Sequence, residues 1–134
     1  MVLITGRQLE HWHTGAMTRR AGVLDAIEPE PTVSMNPLDM KELGIKPGDM
    51  ATVESRRGGI ALIVRQDPGT PRGAVFIPFA FYEAAANILT NPALDPFGKI
   101  PEFKYCAVRV KKGGERPADP GYGRGRSLDE INRA

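Results

Sequence analysis

At 134 residues and 14.6 kDa, with 41% hydrophobic and 25% charged side chains, the chain has the size and composition of one soluble globular domain able to bury a core. Eighteen basic against sixteen acidic side chains leave a formal charge of +2, balanced over residues 1–110 and arising wholly beyond them, which excludes the broad positive surface of a duplex-binding protein. The single cysteine, Cys106, excludes an internal disulfide framework and any zinc or iron–sulfur centre built from this chain's thiolates alone; with no apolar run near the ~20 residues of a membrane span and no signal-peptide pattern, the expectation is a cytoplasmic protein that engages neither nucleic acid nor membrane.

Fifteen glycines and twelve prolines punctuate the chain too often for a helical bundle and favour short strands joined by defined turns. Val2 to Thr5 reads as a strand stopping at Gly6, and Met17, Ala21, Leu24 and Ile27 recur at helical spacing. Thr32 to Met35 reads as a second strand. Asn36-Pro37-Leu38-Asp39 supplies an N-cap, a proline at the first helical position and an acid in the first turn of a short helix, which Gly44 ends. Lys46-Pro47-Gly48-Asp49 is turn chemistry. Met50 to Arg56 and Ile60 to Gln66 form a hairpin across Arg57-Gly58-Gly59. Ala74 to Phe79 is a strand, Glu83 to Leu89 an alanine-rich short helix, Asn91 to Glu102 irregular, and Phe103 to Val110 the last strand. The count is six strands with three short helices, mainly β, and a small closed barrel would remove their edges. Residues 1–112 make this domain; residues 113–134, rich in glycine, proline and charge, read as a flexible tail in which Ser127 to Arg133 has the pattern of one docking turn of helix.

The stretch from Thr5 to Arg20 is unusually rich in hydrogen-bond donors. Arginine forks, hydroxyls and glycine amides can line a concave site for a phosphate-bearing ligand; the bland alternative is a polar loop beside a solvated helix, since no P-loop or Gly-x-Gly-x-x-Gly pattern is present. His11 and His13 lack the further histidine or cysteine that a closed metal site needs, and neither has a nucleophile beside it, so no metal ligand and no catalytic residue is assigned. Cys106, inside a strand, reads as a buried inert thiol. The aromatic run Phe79-Ala80-Phe81-Tyr82 reads as core, and Asn87 offers amide groups either to a backbone carbonyl or to the edge of a heterocycle. Glu102 and Lys104 beside aromatics are a surface pair or a ligand contact. The single Tyr122-Gly123-Arg124-Gly125-Arg126 copy is too weak to indicate RNA.

These stretches together resemble the C-terminal molybdopterin-dinucleotide-binding domain of molybdenum or tungsten oxidoreductases, the formate dehydrogenase catalytic (alpha) subunit above all. The resemblance spans residues 2–110 through Thr5-Gly6-Arg7-Gln8-Leu9-Glu10-His11-Trp12-His13-Thr14-Gly15, Asn36-Pro37, Leu43-Gly44-Ile45, Pro47-Gly48-Asp49, Ser55-Arg56-Arg57-Gly58, Pro71-Arg72-Gly73, Glu83-Ala84-Ala85-Ala86-Asn87, Leu89-Thr90-Asn91 and Pro101-Glu102-Phe103-Lys104-Tyr105-Cys106. It implies a six-stranded double-psi β-barrel with short helices that covers one face of a bis(molybdopterin guanine dinucleotide) cofactor carrying Mo or W. By the same resemblance Thr5, Gly6, Arg7, Gln8, His11, His13, Thr14 and Gly15, then Asn87, then Phe103, Lys104 and Tyr105 lie against that cofactor. The redox chemistry would belong to the cofactor, in an enzyme that oxidises formate to carbon dioxide and passes electrons to NAD through partner domains or subunits, which would also hold the Fe–S clusters.

The metal-bound cysteine or selenocysteine, the cluster ligands and the residues beside formate in that family have no counterpart in this sequence, so the chain by itself is expected to be catalytically silent. Two other functions compete. One is a separately encoded barrel subunit of another Mo/W enzyme such as formylmethanofuran dehydrogenase, and the other is a double-psi barrel acting as a protein-interaction module, since fold alone does not choose a function.

Overall fold

The computed structural model of the protein describes residues 1–118, and all structural statements refer to these. Five strands follow the hydrophobic pattern closely: β1 Val2–Gly6, β2 Thr32–Met35, β3 Met50–Glu54, β4 Gly59–Gln66 and β5 Ala74–Pro78. Alternation sets the faces, for in β3 Ala51 and Val53 point inward and in β4 Ile60, Leu62 and Val64 do. β1 runs parallel to β5 with Leu3 opposite Val75, and β2 runs parallel to β4 with Val33 opposite Val64. The two parallel pairs are joined antiparallel through β2 and β5.

The chain closes this sheet at its far end. β8 Tyr105–Ala107 pairs antiparallel with β1, and β9 Arg109–Lys112 pairs antiparallel with β3. The sheet order β8-β1-β5-β2-β4-β3-β9 thus begins and ends on two halves of one run, parted only at Val108, whose N–H donates to the Met1 carbonyl. Seven strands stand where the sequence reading has six. The reason is local: pairing shifts from β1 to β3 within the last strand, and ladder bonds are interrupted at the crossing. Leu3, Val33, Met35, Val53, Leu62, Val64, Val75 and Ile77 fill the interior and are closed to solvent.

Local capping chemistry decides α2, Pro37–Glu42. The Asn36 carbonyl side chain accepts from the Leu38 N–H at 3.0 Å, and at the other end Gly44 takes φ +65 while Ile45 and Gly44 N–H groups donate to Met40 and Lys41 carbonyls, both bonds of a Schellman end. The first expected helix is different. A 3-10 turn, Thr18–Arg20, and α1, Gly22–Ile27, are parted by Ala21 in an extended conformation, which rotates the apolar spacing out of register: Met17 and Ile27 are 67% and 52% exposed, while Arg19 and Asp25 are buried. The alanine-rich segment likewise splits into 3-10 turns at Tyr82–Ala84 and Ala86–Ile88 around an extended Ala85. Asn91 to Glu102, expected to be irregular, forms a separate two-stranded ribbon, β6 Asn91–Leu94 and β7 Pro101–Glu102.

Beyond β9 the Gly113 N–H donates to the Met50 carbonyl at 2.7 Å and Thr52 Oγ1 donates to the Gly113 carbonyl, so the ladder runs one residue past Lys112. Arg116 lies 3.4 Å from the Glu30 carboxylate. The rest of the expected tail, including the Ser127 to Arg133 turn, lies outside the described residues.

Candidate functional site

Three segments meet where β1 ends. Thr5 is buried; its hydroxyl donates to the Phe103 carbonyl and its N–H to the Lys104 carbonyl at 2.9 Å, fixing residues 103–104 beside the strand. Gly6 follows because a Cβ there would stand 2.6 Å from the Phe76 ring. The Phe79 N–H donates to the Gly6 carbonyl at 3.1 Å and brings the end of β5 alongside. Residues 7–17 then leave the sheet as a loop.

Those segments build one strip of rings and cations, with Arg7, Trp12, His13 and Lys104 exposed and Phe79 and Phe103 half-buried. The Arg7 guanidinium lies 5.5 Å from the Trp12 ring centre; Trp12 and His13 are 6.1 Å apart, His13 and Phe79 5.6 Å; Lys104 Nζ lies 6.0 Å from Phe79 and 5.3 Å from Phe103. Among the described residues neither Arg7 nor Lys104 forms an ion pair, and cation–π contact at exposed sites holds such groups by only about 0.5–1 kcal/mol each. Two cations free to meet an anion, set among flat ring faces, match a ligand that carries both phosphate and heteroaromatic rings. Thr14 is exposed on the same loop. Beside the strip a groove of about 510 Å³ is lined by Arg7, Gln8, Trp12 and Leu24 among others. Gln8 Nε2 is buried and has no hydrogen-bond partner among the described residues. An unsatisfied amide costs roughly 1–3 kcal/mol, so a bound acceptor there would remove a standing penalty. This donor set fits a pterin dinucleotide.

His11 is placed differently from the other loop residues. It is 1% exposed, with Nε2 2.8 Å from the Glu28 carbonyl and Nδ1 3.3 Å from Thr18 Oγ1, and its ring meets Phe81 edge-on at 5.5 Å. A carbonyl only accepts, so Nε2 donates. Thr18 Oγ1 in turn accepts from the Trp12 N–H at 3.0 Å and is left to donate to Nδ1. His11 therefore holds the loop from inside while His13, at φ +54, faces out. Gly15 is buried at φ +75, and a Cβ there would sit 2.7 Å from the Ala80 carbonyl.

The arginines also divide. Arg19, within the donor-rich stretch, is 1% exposed: its Nε donates to Asp25 at 3.0 Å, its Nη1 to Glu83 at 2.6 Å, and its guanidinium covers the Phe81 ring at 4.6 Å. Burial opposes the charge, yet hydrogen bonds and Coulomb attraction, from Glu83 and then Asp25, outweigh it and hold the guanidinium pKa above its ordinary value. Asp25 and Glu83 were invisible to sequence reasoning because six- and 64-residue separations carry no local signal.

Asn87 and Tyr105 are not part of the strip. Asn87 is exposed in the turn whose Ile88 packs against Gly58, and Tyr105 lines a hollow of about 520 Å³ with Val2, Arg56, Arg57 and Cys106. The Cys106 thiol donates to the Leu89 carbonyl at 3.3 Å; burial pushes its pKa up, Arg57 opposing and Glu102 adding. Among the described residues no group of three or more His, Cys, Asp or Glu side chains is placed to hold a metal ion, and no helix is long and apolar enough to cross a membrane.

A family model described as the molydopterin dinucleotide binding domain matches residues 1–107. The F420-dependent formate dehydrogenase 1 subunit alpha of Methanococcus maripaludis is 46% identical over 112 residues, covering 84% of this chain and 17% of that protein. The F420-dependent formate dehydrogenase subunit alpha of Methanocaldococcus jannaschii is 48% identical over 111 residues, covering 83% and 16%. The acetylene hydratase of Pelobacter acetylenicus shares the fold with a TM-score of 0.71 at 20% identity, over 84% of this chain and 18% of that one. The chain spans about one sixth of the length of these relatives. Both curated names carry F420, so the expectation of NAD as acceptor receives no support from them.

Proposed function

Because the chain belongs to the molydopterin dinucleotide binding domain family, we propose that it covers one face of a bis(molybdopterin guanine dinucleotide) cofactor with Mo or W, within a formate dehydrogenase alpha subunit. The observation that carries this reading is the strip itself: two cations without ion pairs among the described residues, Arg7 and Lys104, set among the ring faces of Trp12, His13, Phe79 and Phe103. When bound, the cofactor supplies the redox chemistry that turns formate into carbon dioxide.

The chain's own residues bind and orient. Arg7 and Lys104 meet phosphate oxygens; Gln8 and Thr14 meet polar edges; Gly6 and Gly15 let the loop pack against the Phe76 ring and the Ala80 carbonyl; Thr5 fixes the carbonyls of Phe103 and Lys104; His11 holds the loop from within. Tyr105 meets the cofactor from the side of the Arg56–Arg57 hollow and Asn87 from the turn whose Ile88 packs against Gly58, so both meet a different part of it from the strip. Electrons leave through further domains or subunits carrying Fe–S clusters, toward F420 as the relatives' names indicate. The closed sheet is read as the six-stranded double-psi barrel of this family, with β8 and β9 counted as one strand, and residues 1–112 as the domain followed by a tail. A cytoplasmic setting accords with a single unpaired thiol.

The test uses the full polypeptide that contains this domain. Lys104→Ala is expected to lower the copurified pterin and metal while circular dichroism stays unchanged. Wild-type content of both in the variant would overturn the reading of the strip.

A further inference from the structure

The ribbon of β6 and β7 stands outside the closed sheet, and residues 92–100 are exposed throughout. Three of them are large apolar side chains: Leu94 at 56%, Ile100 at 59% and Phe97 at 93% exposure. A two-stranded ribbon on its own is marginally stable in water, yet this tip is firmly built. The Asp95 carboxylate accepts N–H bonds from Phe97 at 3.0 Å, Gly98 at 2.7 Å and Ile100 at 2.8 Å, the Asp95 N–H donates to the Ile100 carbonyl, and Lys99 Nζ donates to the Pro96 carbonyl at 2.8 Å. The two charges of the tip are thus turned onto its own backbone, and what remains outward is an apolar knob on an ordered loop.

We infer that the Asp95-braced tip docks Phe97, flanked by Leu94 and Ile100, into an apolar pocket on the part of the same longer polypeptide that lies outside these 134 residues. This rests on the reading of the chain as one piece of an alpha subunit, since the relatives are about six times as long as the stretch they match. Rigid exposed aromatics are the side chains that anchor interfaces, because little conformational freedom is lost when they bury. The pocket is apolar at its centre, because Phe97 is the most exposed large apolar side chain of the tip while Asp95 and Lys99 are hydrogen-bonded back onto the tip's own backbone. A lipid surface is disfavoured, for Lys99 is the tip's only basic residue and it is bonded to Pro96.

The experiment places the photoreactive amino acid p-benzoylphenylalanine at Phe97 in the full polypeptide and maps the crosslinked peptide. A crosslink within one polypeptide to an apolar segment outside these 134 residues is expected, with a yield that drops several-fold when Asp95→Ala loosens the tip. A crosslink to a second copy, crosslinking to lipid, or no crosslink overturns the inference. Hydroxyl-radical oxidation of Phe97 in the unsubstituted polypeptide answers the same question without a variant: clear protection relative to the digested peptide is expected for a side chain in the water-excluded core of an interface, and equal oxidation overturns it. Pterin content measured on the same sample separates the two readings. Pterin-loaded polypeptide with an unprotected Phe97 sinks the docking inference alone, and protection in polypeptide that never binds pterin sinks the cofactor reading alone.

Discussion

The Arg19 guanidinium donates to the Glu83 carboxylate at 2.6 Å, across 64 residues of chain, with both side chains closed to solvent. That bond ties the loop after β1 to the turn after β5, and these are the segments that carry Trp12 and Phe79 on the strip. Asp25 shares the same guanidinium. The interior therefore holds one cation between two carboxylates, an arrangement that is costly to break from either end.

Removing the cation should be the most damaging change in this network. Arg19→Met leaves two buried carboxylates uncompensated and is expected to cost about 3–5 kcal/mol. Glu83→Gln keeps an acceptor in place and should cost less, on the order of 1–3 kcal/mol. Urea denaturation of the two variants gives the ranking, and a milder loss for Arg19→Met than for Glu83→Gln would contradict it.

Two glycines with positive φ separate conformational strain from collision. Gly73 has φ +77 and open space around its absent Cβ, so Gly73→Ala should cost about 1–2 kcal/mol, the left-handed penalty of an L-residue. Gly15 has the same kind of φ with the Ala80 carbonyl 2.7 Å from where a Cβ would stand, and Gly15→Ala should cost clearly more. Equal shifts in unfolding midpoint would mean that the Ala80 segment yields.

Acid should loosen the ribbon tip. The backbone N–H groups of Ile100 and Gly98, with Phe97 adding, hold the Asp95 carboxyl below its ordinary range against the opposing effect of desolvation. A carboxyl depressed in the folded state gives stability that is complete above its unfolded value of about 3.9 and is lost as pH falls through the lower folded value. In NMR titrations the amides of Phe97, Gly98 and Ile100 should move together, below pH 3.9, and Asp95→Asn should remove that shared step. Independent titration of the three amides would show that Asp95 does not organise the tip.

Cys106 should be a slow thiol. Burial raises its pKa, and the thiol is engaged with the Leu89 carbonyl, so the thiolate is scarce near neutrality. Alkylation by iodoacetamide at pH 8 is expected to lag behind a cysteine in a short peptide and to accelerate as pH passes 9. Peptide-like rates at pH 8 would show an accessible, ionised sulfur instead.

Short-range chemistry in the sequence determined the elements with local causes: the Asn36-capped α2, the Gly44 end, the hairpin of β3 and β4, and strands whose alternation marks an inner face. The dense Thr5 to Gly15 string likewise marked the loop that bears the strip. Tertiary structure alone decided which of its donors face outward, because that depends on partners far away in the chain. His11 turns inward to the Glu28 carbonyl and Arg19 to Glu83, while Arg7 and His13 stay outside beside Trp12 and Phe79. Helical spacing at Met17 to Ile27 misled for the same reason. A buried arginine held by two carboxylates outweighed the burial of Met17 and Ile27, and the chain broke its helix at Ala21 to reach it.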